Sequence, residues 1–271
     1  MKPQIFEPSA ALKEFVKCHW NLEGDRENTP KKNTIVPDGT MKLIFHYGDT
    51  YRHHLEHGGS IVLPRCFLIG QLTKPYVVEP LGVTGSFVVR FHPNGFLPFT
   101  TIPIKKMENT AVPIETLFGV EGAEIGERIL NATDTSARIQ LIEDFLLKRL
   151  TAKATIDAVV KSTIEAILEA GGKFTVTEFS KKRKIHRRQL ARKFSDVIGL
   201  SPKQLSKTVR IQAALKSLLS ADVTSLTDVA YQNEYFDQAH FIKDFKEFTG
   251  LTPKDFYGED LKMSLIFDSK K

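Results

Sequence analysis

Gln189-Leu190-Ala191-Arg192-Lys193-Phe194-Ser195-Asp196-Val197-Ile198-Gly199-Leu200-Ser201-Pro202-Lys203 aligns without a gap with His240-Phe241-Ile242-Lys243-Asp244-Phe245-Lys246-Glu247-Phe248-Thr249-Gly250-Leu251-Thr252-Pro253-Lys254, at an offset of 51 residues. Phe194 meets Phe245, and Gly-Leu-Ser-Pro-Lys meets Gly-Leu-Thr-Pro-Lys. An internal duplication accounts for this most economically. In each copy the glycine permits the left-handed residue that ends a helix, the hydroxyl suits an N-cap, and proline suits the first helical position after it.

Each copy therefore reads as a short helix, a turn and a second helix. The first pair is predicted at Val176 to Lys182 and Arg187 to Ile198, the second at Leu226 to Tyr231 and Gln238 to Phe248. These are two helix-turn-helix units, at about 174–199 and 225–250. Between them Ile211, Ala214, Leu215 and Leu218 recur at helical spacing, so one amphipathic helix from about Pro202 to Leu219 joins the units rigidly. Such a joint lets both second helices enter successive major-groove segments, about 34 Å apart along one face of a duplex.

Residues 154–257 resemble the DNA-binding domain of the AraC-type (arabinose regulator) transcription factors. The stretch from Asp228-Val229-Ala230 through Asp237-Gln238-Ala239-His240-Phe241 to Gly250-Leu251-Thr252-Pro253 carries the resemblance. Two positions depart from the family pattern: Glu234 stands where the second turn has glycine, and His186 where serine caps the first reading helix. The front part, with Cys18-His19-Trp20, Val36-Pro37-Asp38-Gly39 and Arg90-Phe91-His92-Pro93-Asn94-Gly95, resembles an uncharacterised N-terminal domain of some of these regulators.

If Leu190 and Phe194 face the core, then Arg187, Arg188, Ala191 and Arg192 face outward as candidate base readers. Arginine can pair bidentately with guanine, and an alanine methyl can touch a thymine methyl. The resemblance points to Arg188, Ala191 and Arg192 among them. In the second unit Gln238, Ala239 and Lys243 are the corresponding set, with fewer charges and an acid, Asp244, close by. Lys181, Lys182, Arg183, Lys184, Lys203, Lys246 and Lys254 are candidate phosphate contacts, which set affinity without choosing sequence. Leu190, Phe194, Val229, Phe241 and Phe245 form the expected hydrophobic skeleton, while Phe236 and His240 read as packing or backbone-contact residues.

Charge supports that placement. Residues 173–271 carry 19 Lys+Arg against 12 Asp+Glu, whereas residues 1–172 carry 19 against 20, so the net charge of +6 belongs to the C-terminal part. Residues 173–216 alone hold 13 basic and 2 acidic side chains, a field that attracts a polyanion. A solvated basic face would share that composition.

The first half reads as strand-rich. Met41, Leu43, Phe45 and Tyr47 alternate onto one face; Ser86 to Phe91, Cys66 to Ile69 and Tyr76 to Val78 are further strands. Pro37-Asp38-Gly39 and His92-Pro93-Asn94-Gly95 mark turns, and Pro98, Pro103 and Pro113 oppose long helices. Beyond Pro113 the pattern becomes helical, through Ile139, Ile142 and Leu146 and then Ile156 to Leu168. The expected fold class is an α+β two-domain chain: a β-rich regulatory or sensor domain with flanking helices over 1–150, and an all-α DNA-binding domain over 151–271 whose two units share a central helix.

Other chemistries find less support. His53, His54 and His57 invite a metal, but the segment reads as a solvated loop without an established ligand spacing, so neither metal nor cofactor is expected. Cys18 and Cys66 are too few for the zinc-held cysteine cluster of alkyl-transfer repair proteins and read as reduced thiols, so no catalysis is expected. Trp20, Phe45, Tyr47, Phe87 and Phe91 could line a ligand pocket or simply fill a β-rich core. The N-terminus lacks a signal-peptide pattern and no run approaches the roughly 18 apolar residues of a membrane span, so a cytoplasmic, membrane-free protein is expected. Its candidate partners are double-stranded DNA, a small-molecule effector in the N-terminal domain, RNA polymerase and a second copy in a homodimer. A competing reading, a protein- or RNA-interaction module, suffers because the deep, narrow major groove of A-form RNA excludes a helix.

Overall fold

The alternation over residues 41–47 becomes strand β4 (Lys42–His46), the middle of a six-stranded sheet whose two faces have different covers. The computed structural model describes residues 4–26, 31–150, 157–219, 226–233, 235 and 237–256. Its other strands are β1 (Gln4–Phe6), β2 (Val16–Gly24), β3 (Asn33–Ile35), β5 (Tyr51–His54), β6 (Ser60–Val62), β7 (Cys66–Ile69), β8 (Tyr76–Pro80), β9 (Thr84–Phe91) and β10 (Ala111–Pro113). They form two antiparallel sheets, one in the order β1-β2-β9-β4-β7-β10 and the other β3-β8-β5-β6.

Helices α1 (Ile114–Leu130) and α2 (Thr135–Arg149) lie on one face of the larger sheet. Met41, Leu43, Phe45 and Tyr47 point there, as the alternation predicts, and pack with Phe87, Val89, Phe91, Ile125 and Ile142. Lys42, Ile44 and His46 point the opposite way, toward the smaller sheet. All eight residues of β9 are buried, because that central strand is covered on both faces. The two cysteines sit on opposite faces of this sheet, Cys18 with Trp20 and Cys66 beneath Gly126 of α1.

The segment read as a solvated histidine loop is instead a hairpin. Tyr51–His54 pairs with both β6 and β8, and residues 55–59 form its turn. His53 stacks on Tyr76 at 3.6 Å and donates to the Val77 carbonyl, while His54 pairs with Glu79 at 2.7 Å. Loop-like composition concealed a strand whose partners, β6 and β8, lie outside it in sequence. Among the described residues no group of three or more His, Cys, Asp or Glu side chains is placed to hold a metal ion.

The rest of the described chain is helical: α3 (Ala158–Glu169), α4 (Val176–Arg183), α5 (Arg187–Ile198), α6 (Pro202–Leu219), α7 (Leu226–Gln232), α8 (Gln238–Thr249) and α9 (Pro253–Phe256). The caps follow the repeat. Gly199 and Gly250 take φ of +81° and +78°, Ser201 and Gln204 cap each other's backbone N–H groups, and Thr252 caps Asp255. Among the described residues no helix is long and apolar enough to cross a membrane. Residues 151–154 of the expected domain boundary, together with Ile156, Glu234 and Phe236, lie outside the described residues.

One loop of the β-rich half is built into the helical half. Val36 is buried in the core formed by Ile211, Leu215, Val229, Phe241 and Phe245, and the Pro37 carbonyl accepts from Gln212 of α6 at 2.7 Å. Gly39 has φ +72°, the left-handed region that favours glycine, and a Cβ there would press on the Leu205 Cδ1 methyl at 2.7 Å. Asp38, buried beneath the turn, accepts from Lys42 at 2.9 and 3.0 Å, from Arg90 at 3.0 Å and from the Thr40 hydroxyl at 2.8 Å. Burial alone would raise its pKa, but the Lys42 and Arg90 charges outweigh that and hold the carboxyl well below the usual carboxylate range.

Candidate nucleic-acid interface

In α5, Leu190, Phe194 and Ile198 recur at i, i+4 and i+8 and are completely buried, Phe194 and Ile198 in one core with residues of α3 and α6. That stripe fixes the opposite face outward: Arg187, Arg188 and Arg192 are exposed, and Ala191 lies half-buried beside them. The four candidates of the first unit thus share one helix face. Arg187 differs from the others, since its Nη1 donates to Thr177 of α4 at 3.2 Å and braces the two helices. His186 occupies the N-cap without a side-chain hydrogen bond, so this helix starts without the usual cap.

Lys181, Lys182 and Arg183, read as preceding the helix, form the exposed last turn of α4, and Lys184 closes that helix with φ +54°. Cations at a helix C-terminus also complement its dipole. Lys181, Lys184, His186 and Arg187 border a wide cleft of about 490 Å³ with Thr177, Ser180 and Ile185. Lys193, on the flank, is tied to Asp157 at 2.6 Å.

The second unit repeats the plan with less charge. Val229, Phe241 and Phe245 are fully buried; Gln238, Ala239 and Lys243 are exposed on the other side of α8. Asp237 caps this helix properly, accepting from the His240 N–H at 2.7 Å. His240 stays exposed and lies edge-on to Tyr235. Asp244, read from sequence as an acid beside the reading surface, is turned inward. It is buried against Lys207 at 2.9 Å and Arg210 at 3.5 Å, so it does not repel phosphate from that surface. Burial at i+3 from Phe241 was its sequence signal; an acid at such a position needs cations from a neighbouring helix, which spacing alone cannot reveal. Lys203, Lys246 and Lys254 are exposed at the ends of α6, α8 and α9.

The aromatics divide by face. Phe45, Tyr47, Phe87 and Phe91 belong to the core under α1 and α2, as core filling requires, whereas Trp20 borders the space between the two sheets. Burial raises the pKa of Cys18, and burial with the nearby Glu127 charge pushes that of Cys66 up to about 12.

Two helix pairs of matching sequence, packed around one shared helix, define a helix-turn-helix protein. Residues 179–258 form an AraC-type helix-turn-helix domain, matching the family described as "Helix-turn-helix domain", and residues 4–113 match a domain of unknown function (DUF6597). Uncharacterised HTH-type transcriptional regulators of Staphylococcus aureus, among them one from strain MSSA476, are 37% identical over 70 residues. That match spans 26% of this chain and 9% of the relative's length. Among solved structures, ToxT from Vibrio cholerae is similar over 88% of this chain and 97% of its own, with 12% identity and a TM-score of 0.47. The DNA-binding domain of AdpA, solved in complex with a target DNA, is similar over 38% of this chain and 92% of its own, with 21% identity and a TM-score of 0.34. A probable AraC family transcriptional regulator from Rhodopseudomonas palustris is similar over 40% of this chain and 98% of its own, with 24% identity and a TM-score of 0.34.

Proposed function

We propose that this chain is a sequence-specific transcription regulator that places α5 and α8 in successive major-groove segments of duplex DNA. The observation that carries the reading is the arginine face of α5. Arg188 and Arg192 stand exposed one turn apart on a helix whose other face is locked in the core. Arg188, Ala191 and Arg192 read bases in this scheme, Arg187 chiefly holds α5 to α4, and Lys181, Lys182, Arg183, Lys184, Lys203, Lys246 and Lys254 meet phosphates. Gln238, Ala239 and Lys243 supply a second, weaker contact, since that face carries one cation. The protein divides into a regulatory domain, 1–150, and a DNA-binding domain, 151–271. It works in the cytoplasm and acts by binding, and the raised pKa values of both thiols count against a cysteine nucleophile. A small-molecule effector acting on the N-terminal domain, RNA polymerase contact and homodimer formation complete the proposal.

Selection from random duplexes with the full chain tests it. The expected product is a site of two short elements about one helical turn apart, bound with an affinity that falls steeply with salt, by about 0.9 log units per phosphate neutralised per log unit of salt. Arg188→Ala should weaken binding by about 1–3 kcal/mol and relax the choice of base at one position. Lys243→Ala should cost less. Enrichment of no sequence, or indifference to Arg188→Ala and Arg192→Ala together, would remove the reading.

A further inference from the structure

The two helix-turn-helix units have separate apolar cores, and α6 serves both, giving Leu205 to the first and Ile211, Ala214, Leu215 and Leu218 to the second. A lone helix between two small cores is a slender joint. Three loops of the β-rich half lie against the units and that helix. At the first unit, a Cβ on Gly199, the glycine that ends α5, would lie 3.0 Å from Ile104 Cγ2 and 3.5 Å from Gln71 Cγ. At the second, a Cβ on Gly250, the glycine that ends α8, would lie 3.7 Å from Pro75 Cγ, at van der Waals contact. Between them the 36–39 turn rests on α6, with Gly39 against Leu205, the Pro37 carbonyl accepting from Gln212, and Val36 inside the second core. Gln71, fully buried, joins two of these loops by donating to the Gly39 carbonyl at 3.2 Å.

From this arrangement we infer that the β-rich half sets the spacing of the DNA site: through Val36, Pro37, Pro75 and Ile104 it braces both units and fixes how far apart, and at what angle, α5 and α8 present their side chains. The leverage is geometric. The first residues of a reading helix meet the bases, whereas Ile104 and Pro75 bear on the opposite ends. Gly199 stands about 16 Å along the axis from Arg188, so a cap held there resists tipping of α5 about its base-reading end. The braces are themselves rooted. Ile104 belongs to the core beneath α1 and α2, and Pro75 adjoins Tyr76, which is buried between the two sheets. Val36 and Ile104 are buried, so they act as positioning residues and leave the choice of bases to α5 and α8. The inference rests on the reading of those two helices as groove readers.

The test compares the site selected from random duplexes with the same site carrying one extra base pair between its two elements. That insertion shifts the second element by about 3.4 Å and turns it by about 35°. The unaltered full chain should bind the lengthened site about tenfold or more weakly, the loss of one good base contact. In Val36→Ser with Gln212→Ala the insertion should cost about threefold or less, because a freer joint lets the second helix follow its element. A seam that served folding alone would weaken binding to both duplexes by one factor and leave their ratio unchanged. Gln212→Ala by itself, at a half-buried position of α6 where alanine favours helix, should shift the ratio the same way and keeps the test open if the double variant fails to fold. A second readout needs no DNA: spin labels on Arg192→Cys and Lys243→Cys, with Cys18→Ala and Cys66→Ala, should report one narrow distance in the full chain and a broad one once the seam is altered. Equal insertion penalties, an unchanged distance distribution, or tighter binding of the altered chain to the original site would each overturn the inference. A selection that enriches no site while the distance broadens as expected would remove the regulator reading and leave the brace standing.

Discussion

Replacing Asp38 by asparagine keeps the shape of the side chain and removes the carboxylate that Lys42 and Arg90 share, taking one buried counter-charge away from both cations. Breaking a buried ion pair from one side typically costs about 3–5 kcal/mol. A chain of this kind has roughly 5–15 kcal/mol in total, so about a fifth or more of its stability should go, with a fall in melting temperature of about 10 °C. Lys42→Met is the informative contrast. It leaves Asp38 paired with Arg90 at 3.0 Å and takes the cluster from a net charge of +1 to neutrality, so it should cost much less than Asp38→Asn despite removing a buried charge of the same cluster. Urea titrations followed by Trp20 emission suit the comparison, since the Arg90 guanidinium lies 5.4 Å from that ring. Amide exchange in α6 near Gln212 should quicken in Asp38→Asn, because the turn that seats it is loosened. Equal losses in the two variants, or a loss under about 1 kcal/mol in Asp38→Asn, would refute the charge-balance reasoning.

Lys184→Gly should raise stability by about 0.5–1 kcal/mol, read as melting temperature, since a lysine at φ +54° is strained where glycine is not, and the gain is partly offset in the unfolded chain. The same change should lower DNA affinity if Lys184 meets a phosphate. Above pH 6.5 His46 is neutral both folded and unfolded; below it the unfolded chain takes up a proton that the folded one refuses down to about pH 3. Stability should therefore drop on acidification by up to about 1.4 kcal/mol per pH unit more in the unaltered protein than in His46→Phe, measured as urea midpoints from pH 7 to 4. Thiol-reactive dye at pH 8 should label Cys18 and Cys66 slowly in the native protein and promptly in urea, given their raised pKa values.

The C-terminal half was legible because its signals are local. The predicted Arg187–Ile198 helix is α5 residue for residue, and Pro202–Leu219 is α6, since apolar spacing, the proline and the glycine lie within a few residues of one another. Strands β4, β7 and β9 announced themselves by alternation or by runs of β-formers. Strand β2, two residues after Glu14 and rich in polar side chains, did not, because His19 and Asn21 are buried only through distant partners such as Glu143 and Tyr47. Strand β5 was hidden in the same way by Arg52, His53 and His54. The candidate reading face followed from one periodicity, whereas the Asp38 turn and the inward Asp244 each depend on residues far apart in the chain. Non-local pairing leaves no pattern in a single stretch of sequence.

Val36 has a consequence for how such proteins are assembled from parts. A residue from the first fifth of the chain completes the hydrophobic core of the last quarter. Residues 157–256 are therefore not a portable cassette: cut free, or spliced to an unrelated partner, they would expose to water the apolar surface that Val36 covers and lose the Gln212 bond to the Pro37 carbonyl. Exchange of such halves between genes would succeed only when the donor brings a tongue of matching shape. A second-site change in the 36–40 turn would then be the natural place to look for repair of a poorly matched fusion.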